Sequence, residues 1–455
     1  MYAYVYKNIL YPFYETVLRR RRTFHYLNQF EKDQWLSEEE LKEIQWKKLK
    51  PLLEHAYQHV PYYREQFENC GFHPEQMQDL SDISKIPILT KKNIQDNQQS
   101  LLADNYKDKP LLENWTGGST GEPTRFKFDH RTYEMRMAYS ARCDRWSGWD
   151  YGIKEFYIWG VRDTGDAPTV TAKKTLHNLL LRRKVVNCYT FSRDTFPRYV
   201  KEFNRFKPDM IISYTSPLYN LARYIHENKL DIYTPKSIIA TAEQLYPFQR
   251  ELIEEVFQAP VFNRYGSREV MNIAMECDKH EGLHLNIDNL LVEIIKDNQP
   301  VEPGELGEIV ITDLNNYVMP FIRCKLGDLA VPSIKKCSCR RGLPLLQEVA
   351  GRTFDTLTLR DGRCITGLLF TFYMQKFTGV SQFQVIQKDL DTFIVNIVKN
   401  SRYKDSDTED IGAELRQQLG ANAKIDLHFV DNIPMQKSGK QRIVISEVPL
   451  DFGNE

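Results

Sequence analysis

Trp115-Thr116-Gly117-Gly118-Ser119-Thr120-Gly121-Glu122-Pro123 is the stretch whose reading decides the rest. Its glycines let the backbone take positive φ and come close to a ligand, while Thr116, Ser119 and Thr120 add hydroxyl donors beside the backbone N–H groups. Such a nest of donors suits phosphate oxygens. A Walker-type P-loop is ruled out, because Glu122 stands where Gly-Lys-Ser/Thr would be needed. Taken alone, a loop of this composition is as often an ordinary turn, so its meaning depends on its surroundings.

Upstream, Ser37 to Phe67 reads as helical: Ser37 and Glu40 offer a capping box, Leu41, Ile44, Leu49, Leu52, Leu53 and Ala56 recur near a helical period, and Pro61 closes the run. Downstream of Asn114, short apolar runs (Phe156 to Gly160, Met210 to Ser213, Ser237 to Thr241, Ala259 to Arg264) alternate with helix-like stretches, the pattern of strands and crossover helices in an α/β protein. After Pro303, Gly304 and Gly307 comes the strand-like Glu308 to Thr312. Further on, Phe383 to Gln387, Phe393 to Val398 and Lys424 to Val430 read as strands and Asp407 to Leu419 as a helix, a small α+β unit.

The 455 residues exceed one ordinary domain, and 42% hydrophobic content supplies a sizeable core. Lys+Arg and Asp+Glu both number 61, so the net charge is zero and a nucleic-acid groove, which depends on displacing many counterions, is not expected. Eight scattered cysteines read as reduced thiols of a cytoplasmic protein. No run approaches the roughly 20 apolar residues that span a bilayer, and the N-terminus lacks the pattern of a signal peptide.

Four further segments follow the glycine-rich loop in order: Tyr265-Gly266-Ser267-Arg268-Glu269, Arg323-Cys324-Lys325-Leu326-Gly327-Asp328, Gly351-Arg352-Thr353-Phe354-Asp355 and Ser438-Gly439-Lys440-Gln441-Arg442. Together the five resemble the ordered motifs of the adenylate-forming superfamily of acyl-CoA ligases. Within it, Tyr57 to Arg64, Ile86 to Lys91 and Ser213 to Tyr219 resemble the phenylacetate-CoA ligases and their relatives from capsular polysaccharide biosynthesis, and Met1 to Trp35 is more similar to the capsule-associated members. The resemblance covers nearly the whole chain. It implies an α/β fold with a large multi-subdomain body at 1–354 (helical opening 1–100, α/β core about 101–300, β-rich part about 301–354) and a small mobile α+β lid at 355–455.

The resemblance also implies a reaction: ATP-dependent formation of an acyl-AMP, then transfer of the acyl group to CoA or another nucleophile. Thr116, Gly117, Gly118, Ser119, Thr120 and Gly121 would receive phosphates, Tyr265, Gly266 and Ser267 would border the adenine, Asp328 would accept from the ribose hydroxyls, and Arg352 would contact ribose or phosphate. Glu243, in Ala240-Thr241-Ala242-Glu243-Gln244, resembles a nucleotide-proximal acid. Glu269 is the candidate Mg²⁺ ligand and Lys440 the candidate adenylation lysine. Glu122, Arg268 and Phe354 depart from the family pattern, which keeps open a catalytically weak homologue serving as a binding or scaffold component in polysaccharide assembly; a separate alternative is a ligase whose acceptor is a sugar.

Cys277-Asp278-Lys279-His280 and Cys337-Ser338-Cys339 supply three thiolates and an imidazole, enough for a structural Zn²⁺ site, with His284 as the alternative nitrogen ligand and free buried thiols as the competing reading. Residues 1–24 pair an aromatic helix with Arg19 to Arg22. They read either as a helix packed on the body or as a peripheral contact with the inner membrane face.

Overall fold

The computed structural model describes residues 2–116, 124–160, 175–191, 194–352, 356–360, 364–366, 370, 373–374, 376–420, 422–434 and 442–448. Strands β1 (Leu112–Trp115) and β2 (Arg125–Phe128) pair antiparallel on either side of the glycine-rich stretch, with Trp115 opposite Arg125. Strands β3 (Glu155–Trp159), β4 (Arg183–Asn187), β5 (Met210–Tyr214), β6 (Ser237–Thr241) and β7 (Val261–Ser267) lie parallel in the order β4-β3-β5-β6-β7. Parallel neighbours need crossovers, and the helices Phe196–Phe206, Thr215–Glu227 and Pro247–Phe257 provide them.

The runs Met210–Tyr214 and Ser237–Thr241 are buried along their whole length because two cores sandwich them. Alternate side chains feed opposite faces, Met210, Ile212 and Ile239 into one core, Ile211, Ile238 and Ala240 into the other. Truncating one such isoleucine to alanine would cost about 2–5 kcal/mol.

Beyond β7 the same sheet turns antiparallel through β8 (Met271–Glu276), β9 (Leu283–Leu285), β10 (Leu290–Lys296), β11 (Gln299–Pro300), β12 (Gly307–Asp313), β13 (Cys324–Pro332) and β14 (Leu345–Arg352). Their spatial order continues as β8-β9-β14-β13-β12-β10-β11, which makes one sheet of twelve strands. The helix His130–Trp146 lies against it and is tied down by two buried ion pairs, Arg136–Asp313 at 2.8 Å and Arg142–Asp288 at 3.1 Å. Removing one member of such a pair strands a buried charge and costs about 3–5 kcal/mol.

Ser37 caps the helix Glu38–His59 as its sequence requires: Ser37 Oγ accepts from the Glu40 N–H at 3.2 Å, and the Glu40 carboxylate accepts from the Ser37 N–H at 2.8 Å. Pro61 does more than close this helix. It opens the next one, Pro61–Asn69, at the first turn, where its missing N–H costs nothing.

The short strands β15 (Thr356–Thr358) and β16 (Cys364–Thr366) pair antiparallel. After them β17 (Val380–Gln387), β18 (Thr392–Lys399), β19 (Lys424–Phe429) and β20 (Val444–Ser446) form a separate sheet in the order β19-β18-β17-β20, with the helix Asp405–Leu419 packed against it. Val385, Phe393, Val395, Ile411 and Leu415 give this unit a core of its own.

Candidate active site and metal cluster

A cavity of about 1970 Å³ opens where the C-terminal ends of the parallel strands meet β17 and β20. Ligands of open α/β sheets bind at such strand ends. Thr116 lines it from the end of β1, Glu243, Tyr265, Glu269, Asp328 and Gly351 line it from the large sheet and the loops at its strand ends, and Gln382, Phe383 and Arg442 line it from the C-terminal sheet. The two sides also touch directly, since Arg223 donates to the Ser381 carbonyl at 3.1 Å.

β7 ends in the site, and Gly266 is obligatory there: a Cβ would sit 2.2 Å from the Met271 carbonyl oxygen. The neighbouring Tyr265 hydroxyl donates to Asp328 Oδ2 at 2.8 Å, so two residues 63 positions apart are held as one unit. Glu243 accepts from both the N–H and the hydroxyl of Ser216 at the start of the helix Thr215–Glu227. Glu269 is 5% exposed. Lys91 lines the cavity as Glu269 does. Burial pushes the nearby Cys324 thiol up, the Glu269 carboxylate adds to that shift and Lys91 opposes it. Deeper in, the ion pairs Arg264–Asp144 (2.9 Å) and Arg183–Glu155 (2.7 Å) form part of the wall.

Across the sheet, Cys277, His284, Cys337 and Cys339 place one ligand atom each within 4.8 Å of one another. Cys277 Sγ lies 3.6 Å from Cys337 Sγ, and Cys339 Sγ lies 3.2 Å from His284 Nε2. For comparison, sulfurs on a tetrahedral zinc with Zn–S bonds near 2.3 Å sit about 3.8 Å apart. His284 Nδ1 faces the Leu343 carbonyl at 3.0 Å, which fixes the tautomer that leaves the Nε2 lone pair free for a metal. Burial lowers the His284 pKa to about 4, so the imidazole is neutral near pH 7. Burial pushes the Cys339 thiol up, but the Arg341 N–H and side chain and the Cys337 thiol outweigh it, and its pKa lies below the ordinary value. The loop after Cys339 is pinned by Gly342, where a Cβ would meet the Leu36 carbonyl oxygen at 1.6 Å.

The cluster takes His284 where the sequence reading preferred His280. A turn closed by the His280 N–H on the Cys277 carbonyl puts His280 at φ 52. Its Nδ1 then meets the Glu276 carboxylate at 3.1 Å and its ring packs on Phe262, away from the thiols.

Comparison with known proteins agrees with this geometry. Residues 357–447 match the family model of the CapK C-terminal domain. Protein CapK of Staphylococcus aureus is 24% identical over 437 residues, covering 95% of this chain and 94% of that one. The phenylacetate-coenzyme A ligase of Pseudomonas putida is 27% identical over 331 residues, 70% of this chain and 72% of its own. A 2-hydroxyisobutyryl-CoA ligase solved in complex with 2-HIB-AMP has the same fold, with a TM-score of 0.74 at 20% identity over 91% of both chains. Over most of its length the chain is similar to CapK and to the phenylacetate-CoA ligases, and its C-terminal part matches the CapK C-terminal domain.

Of the motif residues that the sequence resemblance singles out, Thr116, Glu243, Tyr265, Gly266, Ser267, Glu269 and Asp328 all border this cavity. Gly117, Gly118, Ser119, Thr120, Gly121, Glu122, Phe354, Asp355 and Lys440 lie outside the described residues. Of Arg352 the backbone is described, opposite Asp328 across β13 and β14. Arg268 donates to the Trp115 carbonyl at 3.1 Å, so it braces the base of the glycine-rich loop. Trp159, Tyr214 and Tyr219 line the cavity as well, with Trp159 and Tyr214 ring centroids 4.4 Å apart.

Sequence reasoning missed Lys91, Ser216 and Arg442 as parts of the site. Lys91 stands in the quoted Ile86 to Lys91 segment, first in a helix that Thr90 caps, and Arg442 ends the last motif, so both carried a signal. Ser216 stands in the quoted Ser213 to Tyr219 segment, but its role comes only from its contact with Glu243.

Proposed function

We propose that this chain activates a carboxylic acid as its acyl-AMP, using ATP, and passes the acyl group to CoA. The observation that carries the reading is the joined pair Tyr265–Asp328 beside Glu269 and Glu243 in one cavity that the C-terminal sheet also faces. In the first half-reaction a carboxylate oxygen bonds to the α-phosphorus as the bond to the leaving pyrophosphate breaks. In the second, the CoA sulfur bonds to the acyl carbon, AMP leaves, and the thiol proton passes to solvent.

An anion must approach an anion in the first step, so cations and oriented donors decide its rate. Lys440 is assigned the bridge between carboxylate and α-phosphate, and the Thr116 to Gly121 loop the other phosphates. Asp328, steered by the Tyr265 hydroxyl, accepts from the ribose with its remaining lone pairs. Arg352 is assigned to ribose or phosphate. A magnesium ion fits the oxygen chemistry of Glu269, which would hold it together with nucleotide phosphates, and it would supply neutralisation of the leaving group. The moving unit is assigned to residues 355–455, hinged at Asp355, against a body at 1–354; its closure would exclude water and commit the acid.

A zinc ion fits Cys277, His284, Cys337 and Cys339, and its part would be structural, because a full set of four protein ligands leaves no open position. The setting that the sequence resemblance implies is capsular or exopolysaccharide biosynthesis; the chain is assigned to the cytoplasm, where residues 1–24 either pack on the body or touch the inner membrane face. No helix among the described residues is long and apolar enough to cross a membrane.

The reading is tested by incubating the protein with ATP, magnesium, CoA and a panel of carboxylic acids, and following AMP and thioester by mass spectrometry. Acid-dependent AMP with a matching acyl-CoA is the expected result. AMP formed only when a sugar replaces CoA would reassign the acceptor, and no AMP with any acid from folded, ATP-binding protein would overturn the ligase.

A further inference from the structure

Residues 2–18 are helical throughout, α-helical at Tyr2–Val5 and wound in π-turns at Tyr6–Leu10 and Phe13–Leu18. The helix has two unlike faces. Inward, Tyr6 and Glu15 are buried, Tyr11 stacks on Tyr151 at 4.5 Å, and Glu15 pairs with Arg21 at 3.1 Å. This inner face is wall of the large cavity, which Tyr6, Tyr11, Tyr14 and Glu15 all line.

Outward, Ile9, Leu10, Phe13, Val17 and Leu18 are about half exposed or more. Ile9, Phe13 and Val17 recur every fourth residue and so fall on one stripe. A second segment adjoins it: Leu181 packs into the same small core as Tyr6 and Tyr11, and just before it Leu176, Leu179 and Leu180 are exposed. Most of the large apolar side chains left exposed among the described residues lie in these two segments. A contiguous patch of that kind on a soluble surface marks an interaction site.

Charge selects the partner. In residues 1–26 the sole acid is Glu15, which is buried and paired, while Arg19, Arg20 and Arg22 are exposed at the end of the helix. The whole chain is neutral, so this cationic rim is a local feature. A second copy seated on the patch by two-fold symmetry would set these arginines near their own counterparts, whereas anionic headgroups complement them and the bilayer interior takes the apolar stripe.

We propose that the outer face of residues 2–18 and the adjoining Leu176, Leu179 and Leu180 form one docking surface for an anionic lipid bilayer. This widens the contact assigned to residues 1–24 into a two-part face. The surface stands on its own observations; that the cavity behind it holds the activated acid rests on the ligase reading. Because one helix makes both the membrane face and the cavity wall, a docked protein holds that wall of the cavity at the bilayer surface.

The test is co-sedimentation of the full-length protein with phosphatidylcholine vesicles prepared with and without phosphatidylglycerol. Binding is expected to be strongest with phosphatidylglycerol, and to fall as salt screens the arginines. Phe13→Glu and Leu179→Glu should each weaken partitioning at least about tenfold, and Arg20→Glu about fivefold or more on anionic vesicles alone. All three positions are exposed, so unchanged thermal melting separates lost docking from lost folding.

Absence of binding to anionic vesicles at low salt would overturn the proposal, as would a concentration-dependent dimer that Phe13→Glu abolishes. Full binding by Leu179→Glu beside loss in Phe13→Glu would overturn the two-part face. Acid-dependent AMP formation in solution is read separately, so the ligase reading and the docking surface can fail independently.

Discussion

In the Cys277, His284, Cys337 and Cys339 cluster every ligand atom is already within 4.8 Å of the others, and backbone groups of Arg341 and Leu343 hold two of them from behind. In the large cavity, Glu243, Glu269 and Asp328 stand around about 1970 Å³ of open space, and part of the lining belongs to a different sheet with its own core. A closed, preassembled set of soft ligands contributes to folding and has nothing left to offer a substrate. A wide site split between two units gives up that stability and gains the ability to complete itself only when the substrate is bound.

Substitutions on the two sides should therefore fail in opposite ways. Cys277→Ser, or stripping with a strong chelator, should remove a bound zinc and lower stability by on the order of 4 kcal/mol, seen as a lower Tm, while the protein that stays folded still adenylates. Loss of adenylation at unchanged Tm would contradict the structural role. Lys440→Ala should do the reverse: about 10²–10³-fold slower adenylation, unchanged zinc content and retained ATP binding.

Tyr265→Phe removes the hydroxyl that donates to Asp328 and should weaken ATP binding by about 1 kcal/mol, measurable by calorimetry, with stability unaltered. The smallest effect is expected of His280→Ala, which sits beside the cluster in sequence yet outside it in space. Metal analysis should find its zinc content equal to the parent's, whereas His284→Ala should lose it.

The strands Met210–Tyr214 and Ser237–Thr241 were legible because burial on both faces leaves a continuous apolar run, and the helix Glu38–His59 because its capping box is local. The joining of the parallel strands to the antiparallel ones in a single sheet was not legible, since it depends on the β7–β8 turn and on β9 meeting β14 across 61 and 63 residues. Glu243, Glu269 and Asp328 were legible because each sits in a short linear motif, whereas Glu15, Asp144 and Glu155 in the same wall sit in none. The choice between His280 and His284 could not be read, because four residues separate two equally plausible imidazoles and a left-handed turn at His280 decides between them. Ser216 lay equally out of reach, being tied to Glu243 only through space.

The central claim is that a carboxylic acid is joined to AMP here before any acceptor enters. Exchange of labelled pyrophosphate into ATP, measured without CoA, tests it most directly. The account predicts exchange that requires one acid of the panel and is lost in Lys440→Ala. Exchange absent for every acid until CoA is added, with ATP bound throughout, would contradict it.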